Sequence, residues 1–391
     1  MTVVAPRSEG DWEQFTQVEG QAFATTPDDT ARYIASVRDH AIARFAIEDD
    51  RVVAGALAFP CAQYIGGRAV PAGAVASVCV APEHRGKGFG RSVMWSLVDA
   101  LDDAGLALSP LWPSNVAFYR TMGWELAGQI AQFTVPADRL RALQATGTAE
   151  RDPSLAEVAA LRATLASRHC GPIERPEWWT TWRLPSPPKE LTYRYGWRES
   201  GTLTGFVAFR QQQATDRRWG FDVWVTDFWA ATADALNGLG SLVGADAPLS
   251  PQVRFDYGVL PERPDLMWRL PELDLTTSGT NSWMLRVLDP TAAIEASGWS
   301  PAISGQIEIE VAAVGQPSAP IHIEFADGRA QVSPATTPRV RLAAGAFSAW
   351  YAGAMSVRTA AMLGLASGSP DDLALMDALS ADRRPWLPDM F

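Results

Sequence analysis

A chain of 391 residues is too long for one ordinary hydrophobic core, so two or three domains are expected. With 47% hydrophobic and 20% charged residues it reads as globular, and a disordered chain is excluded. The net charge of -11 argues against a nucleic-acid partner, because phosphates are held by clustered Lys and Arg; such acidity either keeps a protein soluble or focuses a cationic substrate into a cleft.

A first segment, residues 1–136, alternates helices and strands. Residues 11–23 and 27–37 read as helices, and 45–48 and 52–59 as strands about a turn at Asp49 and Asp50. A hairpin follows at Gly66-Gly67, and the apolar, β-branched run 73–80 reads as a buried strand. From Arg91 the period changes. Val93, Met94, Leu97, Val98 and Leu101 recur at helical spacing, Asp99, Asp102 and Asp103 take the other face, and Gly105 stands where a C-terminal cap belongs. A strand over 106–112, a short helix over 116–122 and a strand over 130–135 complete a mixed α/β pattern.

A second segment, 137–280, carries helices over 139–143 and 154–168 and a Pro- and Trp-rich passage over 172–188. Strands over 191–198, 205–210 and 219–227 then lead to a helix over 230–242, as in the first segment but without a Gly-rich loop between strand and helix. In a third segment, 281–391, a strand over 283–287 precedes a helix over 290–297 with Pro290 at its start. Strands over 305–311, 321–326 and 331–332, the last two about an Asp327-Gly328 turn, lead to helices over 344–351 and 356–363. The apolar tail 386–391 is expected to dock into the protein.

Cys61, Cys79 and Cys170 form no CxxC pair and the four histidines are scattered, so neither a disulfide framework nor a metal is expected. The N-terminus has no apolar run of signal-peptide length. No uncharged stretch, the one between Arg341 and Arg358 included, reaches the ~20 apolar residues of a membrane span. A cytoplasmic protein without a membrane partner is the expectation.

The chemistry concentrates between Ser77 and Arg91, where a buried strand runs into a glycine loop that opens an amphipathic helix. Glycines let backbone approach an anion closely, and loop amides with a helix N-terminus supply the positive end. Arg85, Lys87 and Arg91 add charge suited to a pyrophosphate or ribose phosphate. The pattern of a nucleotide P-loop is absent. A dinucleotide fingerprint needs an acidic residue about twenty positions on, ending the next strand, and here Asp102 and Asp103 lie on the helix itself. What remains is the acetyltransferase loop R/Q-x-x-G-x-G, met by Arg85, Gly88 and Gly90.

With those residues in view, the segment 60–128 resembles the N-terminal domain of the Eis family of aminoglycoside acetyltransferases, which has the GNAT fold. The matching stretches are Gln63-x-x-Gly66-Gly67-Arg68, the strand and loop from Val78 through His84 and Arg85, and Phe118-Tyr119 with Gly123-Trp124. Trp283-x-x-Arg286-x-x-Asp289 and the terminal Phe391 extend the likeness to nearly the whole chain. The resemblance implies tandem GNAT-fold domains, the second without a cofactor, followed by a sterol-carrier-protein-like α+β domain, assembled as a homo-hexamer.

It further implies acetyl-CoA as co-substrate and a small-molecule amine as acceptor. The backbone of Val78, Cys79 and Val80 would hold the pantetheine arm as an added strand. Arg85, Gly86, Lys87, Gly88, Phe89, Gly90 and Arg91 would hold the pyrophosphate, and Ser114 with Asn115 would border the acetyl group. Tyr119 matches the family's general acid and the carboxylate of Phe391 its general base. Two features depart from the family. Met390 stands where an acidic residue often binds polycations, with Asp389 one step back, and the chain has 16 Trp, which would favour a flatter, more apolar amine. Asp28 and Asp29 could supply an acidic wall or serve only solubility. The alternatives are a tailoring or self-resistance enzyme for one aromatic or peptide-like amine, and a lipid carrier whose acetyltransferase domain is idle.

Overall fold

The computed structural model describes residues 2–183, 192–272, 274–312, 314 and 318–391. The end of the Pro- and Trp-rich passage, and residue 191 of an expected strand, lie outside the described residues. The fold is mixed α/β, and the chain divides into two compact units. Unit 1 comprises Met1–Ala127, Trp283–Arg383 and Met390–Phe391, and unit 2 comprises Gly128–Ser282 and Arg384–Asp389.

Unit 1 begins with β1 (Thr2–Val4), α1 (Glu9–Phe23), α2 (Pro27–Val37), β2 (Ile42–Glu48), β3 (Arg51–Ile65) and β4 (Arg68–Val80). It continues through α3 (Phe89–Asp103), β5 (Leu108–Leu111) and α4 (Val116–Arg120). The strands lie in chain order, antiparallel except for the parallel pair β4–β5. Both opening helices start on a hydroxyl cap: Ser8 accepts from the Asp11 amide, and Thr26 from the Asp29 amide ahead of Pro27.

Two apolar layers cover the sheet. On one, α3 buries Phe89, Val93, Met94, Leu97 and Leu101 against Ala54, Ala56 and Ala58 of β3. On the other, Phe15 of α1 stacks on Phe45 of β2 with centroids 4.5 Å apart, and Trp12 meets Phe45 edge-on at 5.1 Å. Gly55 makes that second contact possible, since a Cβ there would lie 2.6 Å from Phe15 and 2.7 Å from Phe45.

Unit 2 begins within β6 (Glu125–Pro136) and runs through α5 (Ala137–Arg141), β7 (Thr148–Arg151), α6 (Leu155–Ala166), β8 (Ile173–Glu174) and α7 (Glu177–Arg183). Then come β9 (Thr192–Glu199), β10 (Thr202–Gln213), β11 (Phe221–Ala230), α8 (Ala233–Val243) and β12 (Gln252–Phe255). Its strands are ordered β6-β12-β11-β10-β9-β7 around a core that includes Phe133, Val207, Val225, Leu239 and Phe255. Between β11 and α8, Thr232 caps the helix in the ordinary way, its Oγ accepting from the Ala235 amide at 3.0 Å. The glycine loop of unit 1 has no counterpart at this junction.

The chain returns to unit 1 within β13 (Thr276–Val287), whose Met284–Val287 pair antiparallel with β5. There follow α9 (Pro290–Ala296), β14 (Gly305–Ala312), β15 (Ile321–Ala326), β16 (Arg329–Pro334), β17 (Val340–Ala343), α10 (Ala344–Ala352), α11 (Val357–Met362), β18 (Ala366–Ser367) and α12 (Pro370–Ser380). The strands β16-β15-β14-β17-β18 form a second sheet. The motif around Arg286 is a structural stitch. Arg286 lies over Trp95 and Trp124, 5.0 and 5.2 Å from their ring centroids, and donates to the Met122 carbonyl at 2.8 Å. Asp289 caps α9 by accepting from the Ala292 amide. No helix among the described residues is long and apolar enough to cross a membrane.

Candidate active site

Every proposed site residue belongs to unit 1, Phe391 included. The site starts from an irregularity in β4. Its pairing with β3 slips so that Ala56 faces two residues, Ser77 and Val78, and Ser77 takes a left-handed backbone with φ 51°. A bulge of this kind bends a strand and twists it away from its neighbour. The recorded β4–β5 register is Ala72 with Leu108 and Val75 with Leu111, where β5 ends, and β4 continues to Val80. Val78, Cys79 and Val80 therefore run beyond their parallel neighbour, an edge that an extended amide chain can join.

Directly after that edge the chain turns through Gly86 and Gly88, with φ of 76° and 87°. A Cβ at either would meet no atom within 4 Å, so the glycines serve the left-handed backbone and leave open space above it. Gly88 occupies the N-cap of α3 with no side-chain cap, leaving the first helical amides to other acceptors. Phe89 is buried and anchors the helix, while Arg85, Lys87 and Arg91 are exposed. Arg85 donates from Nε to the Val80 carbonyl at 3.2 Å, tying the loop to the strand end. Gly90 has a different reason: a Cβ there would approach Val80 to 3.3 Å and Phe118 to 3.5 Å. Exposed cations, helix amides without a side-chain cap and open space above the glycines suit the pyrophosphate of coenzyme A.

Tyr119 lies on α4 with 4% of its surface exposed. Its ring meets Phe118 and Trp124 edge-on, at 5.0 and 6.2 Å. Burial pushes its phenol up to about 12, against a smaller opposing effect of a hydrogen bond with Ser114. Ser114 thus touches the proposed acid from just before the N-cap of α4, the short helix that carries Tyr119 in its second half. Asn115 does other work: its side chain caps α4, accepting from the Phe118 amide at 3.1 Å. Cys79 is buried and its thiol is pushed up by burial, so it is no thiolate nucleophile.

Three sequence features resolve into structural roles. Asp29 accepts from the Thr26 hydroxyl at 2.6 Å and pairs with Arg32, so it belongs to the start of α2. Asp389 is fully buried in unit 2, where Arg162 and Arg175 reach it at 2.8 and 2.7 Å and the Ile173 amide donates to it at 2.9 Å. Burial alone would raise its pKa, but the two guanidinium groups hold the carboxyl below its ordinary value. It anchors the tail and does not present its charge to a substrate. The Trp-rich passage folds on itself: Trp178 lies 5.4 Å from Trp179 and 6.4 Å from Trp182, and Trp179 is fully buried.

One buried acid escaped the sequence reading. Glu19, on α1, is 6% exposed and stands with Tyr33 of α2 and Ser77 of the β4 bulge. Nothing in its helical context distinguishes it from a surface Glu, so only the packing of α1 and α2 over the bulge reveals it.

Residues 4–127 match the family described as Acetyltransferase (GNAT) domain, and residues 171–287 match a second family of the same description. Residues 290–388 match a sterol carrier protein domain. No curated protein matches the sequence. Among solved structures, a GCN5-related N-acetyltransferase from Anabaena variabilis is similar at TM-score 0.92 and 20% identity, over 100% of both chains. One from Kribbella flavida has TM-score 0.87 and 24% identity, over 100% of this chain and 98% of that one. Eis1 from Mycobacterium abscessus has TM-score 0.79 and 20% identity, over 100% of both. These likenesses establish a shared fold.

Proposed function

From two matched acetyltransferase domains and a sterol carrier domain, we propose that the chain is an Eis-like GNAT acetyltransferase that transfers the acetyl group of acetyl-CoA to a primary amine of a small molecule. The observation that carries this reading is the sequence of features in unit 1: the bulged strand edge Val78–Val80, the open glycine turn and the buried phenol of Tyr119. Val78, Cys79 and Val80 align the pantetheine arm through their backbone. The loop from Arg85 to Arg91 takes the pyrophosphate, and Ser114 and Asn115 border the acetyl group.

The chemistry is direct attack. The amine must lose a proton, a C–N bond forms as the C–S bond breaks, and the leaving sulfur must gain a proton. Tyr119 supplies that last proton, and the carboxylate of Phe391 is the base for the amine. Support for the second role is that Met390 and Phe391 group with unit 1, although the tail residues before them belong to unit 2. Removal of Phe391 alone should lower kcat by about 10²-fold or more with acetyl-CoA binding intact; undiminished turnover would remove the terminal carboxylate from the mechanism. The hexamer implied by the family resemblance and a cytoplasmic location are part of the same proposal, and sedimentation tests the first.

The sterol carrier domain favours an enzyme over a lipid carrier. Its interior is filled by Trp299, Phe325, Phe347, Trp350 and Tyr351, all buried, with Trp299 4.9 Å from Phe325 and 5.8 Å from Trp350. Arg383 stacks over Trp299 at 4.1 Å. An aromatic core of this kind is a packed interior.

A further inference from the structure

Resting on the acetyltransferase reading, we propose that Glu19, with the hydroxyls of Tyr33 and Ser77, is the seat that receives the ammonium group of the acceptor beside the β4 bulge. Three observations meet there. Glu19 is 94% removed from solvent by its 6% exposure, and its Oε2 has no hydrogen-bond partner. No ion pair to Glu19 is found among the described residues. A buried carboxylate oxygen left unsatisfied is costly, and proteins rarely keep one without a use. The second observation is place. Ser77 faces Glu19, Tyr33 shares a hydrogen bond of 3.2 Å with the Ser77 hydroxyl, and Ser77 is the residue whose left-handed backbone makes the bulge. The next three residues are the strand edge assigned to the pantetheine arm, so a cation at Glu19 lies next to the proposed thioester position.

The third observation is charge. Burial pushes the Glu19 carboxyl up, and its field pushes up Tyr33 and Cys79 as well. An acid in that setting lacks a counter-ion, and an alkylammonium supplies one, with three N–H donors for Glu19 Oε2 and the neighbouring oxygens. The exposed acids Asp28 and Asp29 sit at the start of α2, where Asp29 is already paired, so they do not compete for this role. The acceptor is therefore a compact ammonium presented at the end of its carrier, and a polycation is not required.

The test is steady-state acetylation of tryptamine, lysine amide and kanamycin by the wild type and Glu19→Gln, with thermal shift by coenzyme A as a control. The expected result is a KM for the acceptor raised tenfold or more, with kcat within about threefold and an unchanged coenzyme A shift. A KM within twofold of wild type overturns the seat, and so does a loss confined to the coenzyme A shift. Inhibition of the wild type provides a readout that needs no variant. Hexylamine should compete with the acceptor at least tenfold better than hexanol, and equal inhibition overturns the proposal. If the wild type acetylates none of the three amines, the amine-acceptor reading itself fails. Normal turnover with an unmoved KM sinks the seat alone.

Discussion

A phenol serves as an acid only while it keeps its proton, and the burial of Tyr119 secures this. With its pKa raised to about 12, the group stays neutral through the range in which the acceptor amine becomes free base. The rate should therefore rise with pH as the amine deprotonates and show no fall centred near pH ~10, where an ordinary phenol ionises. A descending limb at that position in the kcat profile would contradict the buried acid. Asp389 works at the same scale with the opposite sign. Its folded-state pKa is lowered, so its contribution to stability is present above the ordinary carboxylate value of 3.8 and is lost as pH falls through the folded value. Asp389→Asn removes the carboxylate that Arg162 and Arg175 share, although Arg175 keeps its pair with Asp227 at 3.1 Å, and should cost on the order of 3–5 kcal/mol. Urea unfolding of unit 2 at neutral pH checks this. An unchanged midpoint would mean the clamp is not an ion pair of consequence. None of this was visible in the sequence, where Asp389 is one acid among many and its partners lie more than two hundred residues away.

Among the elements, those with explicit caps were legible. The helix over 27–37 was read to its observed bounds because Thr26, Pro27 and Asp29 announce its start. The strand over 321–326 ends at an Asp-Gly turn and was equally clear. Four-residue strands such as β7 and β12 carry too short a pattern to register. The helix α12 was missed although Ser369, Pro370, Asp371 and Asp372 gave the same signal as α2. β3 was read as eight residues and extends over 15, because its second half passes through Pro60 and loses alternation. The glycines also separate by element. Gly55→Val should force Phe15 and Phe45 apart and lower stability by about 1–3 kcal/mol without touching the acetyl-CoA loop. Gly88→Ala meets no atom but must hold φ near 87°, at a strain of about 1–2 kcal/mol. It should raise the KM for acetyl-CoA several-fold while the acceptor KM stays put; equal effects on both would mean the loop is not the coenzyme site.

At the scale of the molecule, the chain leaves unit 1 within β6, builds unit 2, and comes back within β13 to complete what it began. The alternation of elements made the first acetyltransferase domain legible, but a linear reading could not show that β5 has its outer neighbour in residues 284–287. Nor could it show that Arg286 closes over Trp95 and Trp124. A fragment of residues 1–136 lacks all of these and should be insoluble or melt far below the whole chain in a thermal scan. A fragment that melts with the intact protein would refute the dependence.

The most direct test of the central claim is coenzyme A release from acetyl-CoA with tryptamine, lysine amide or kanamycin, in the intact protein and in Tyr119→Phe. Amine-dependent release is expected with at least one acceptor, falling in kcat by about 10²-fold in the variant with acetyl-CoA affinity preserved. Release that is independent of every amine, or undiminished in Tyr119→Phe, would contradict it.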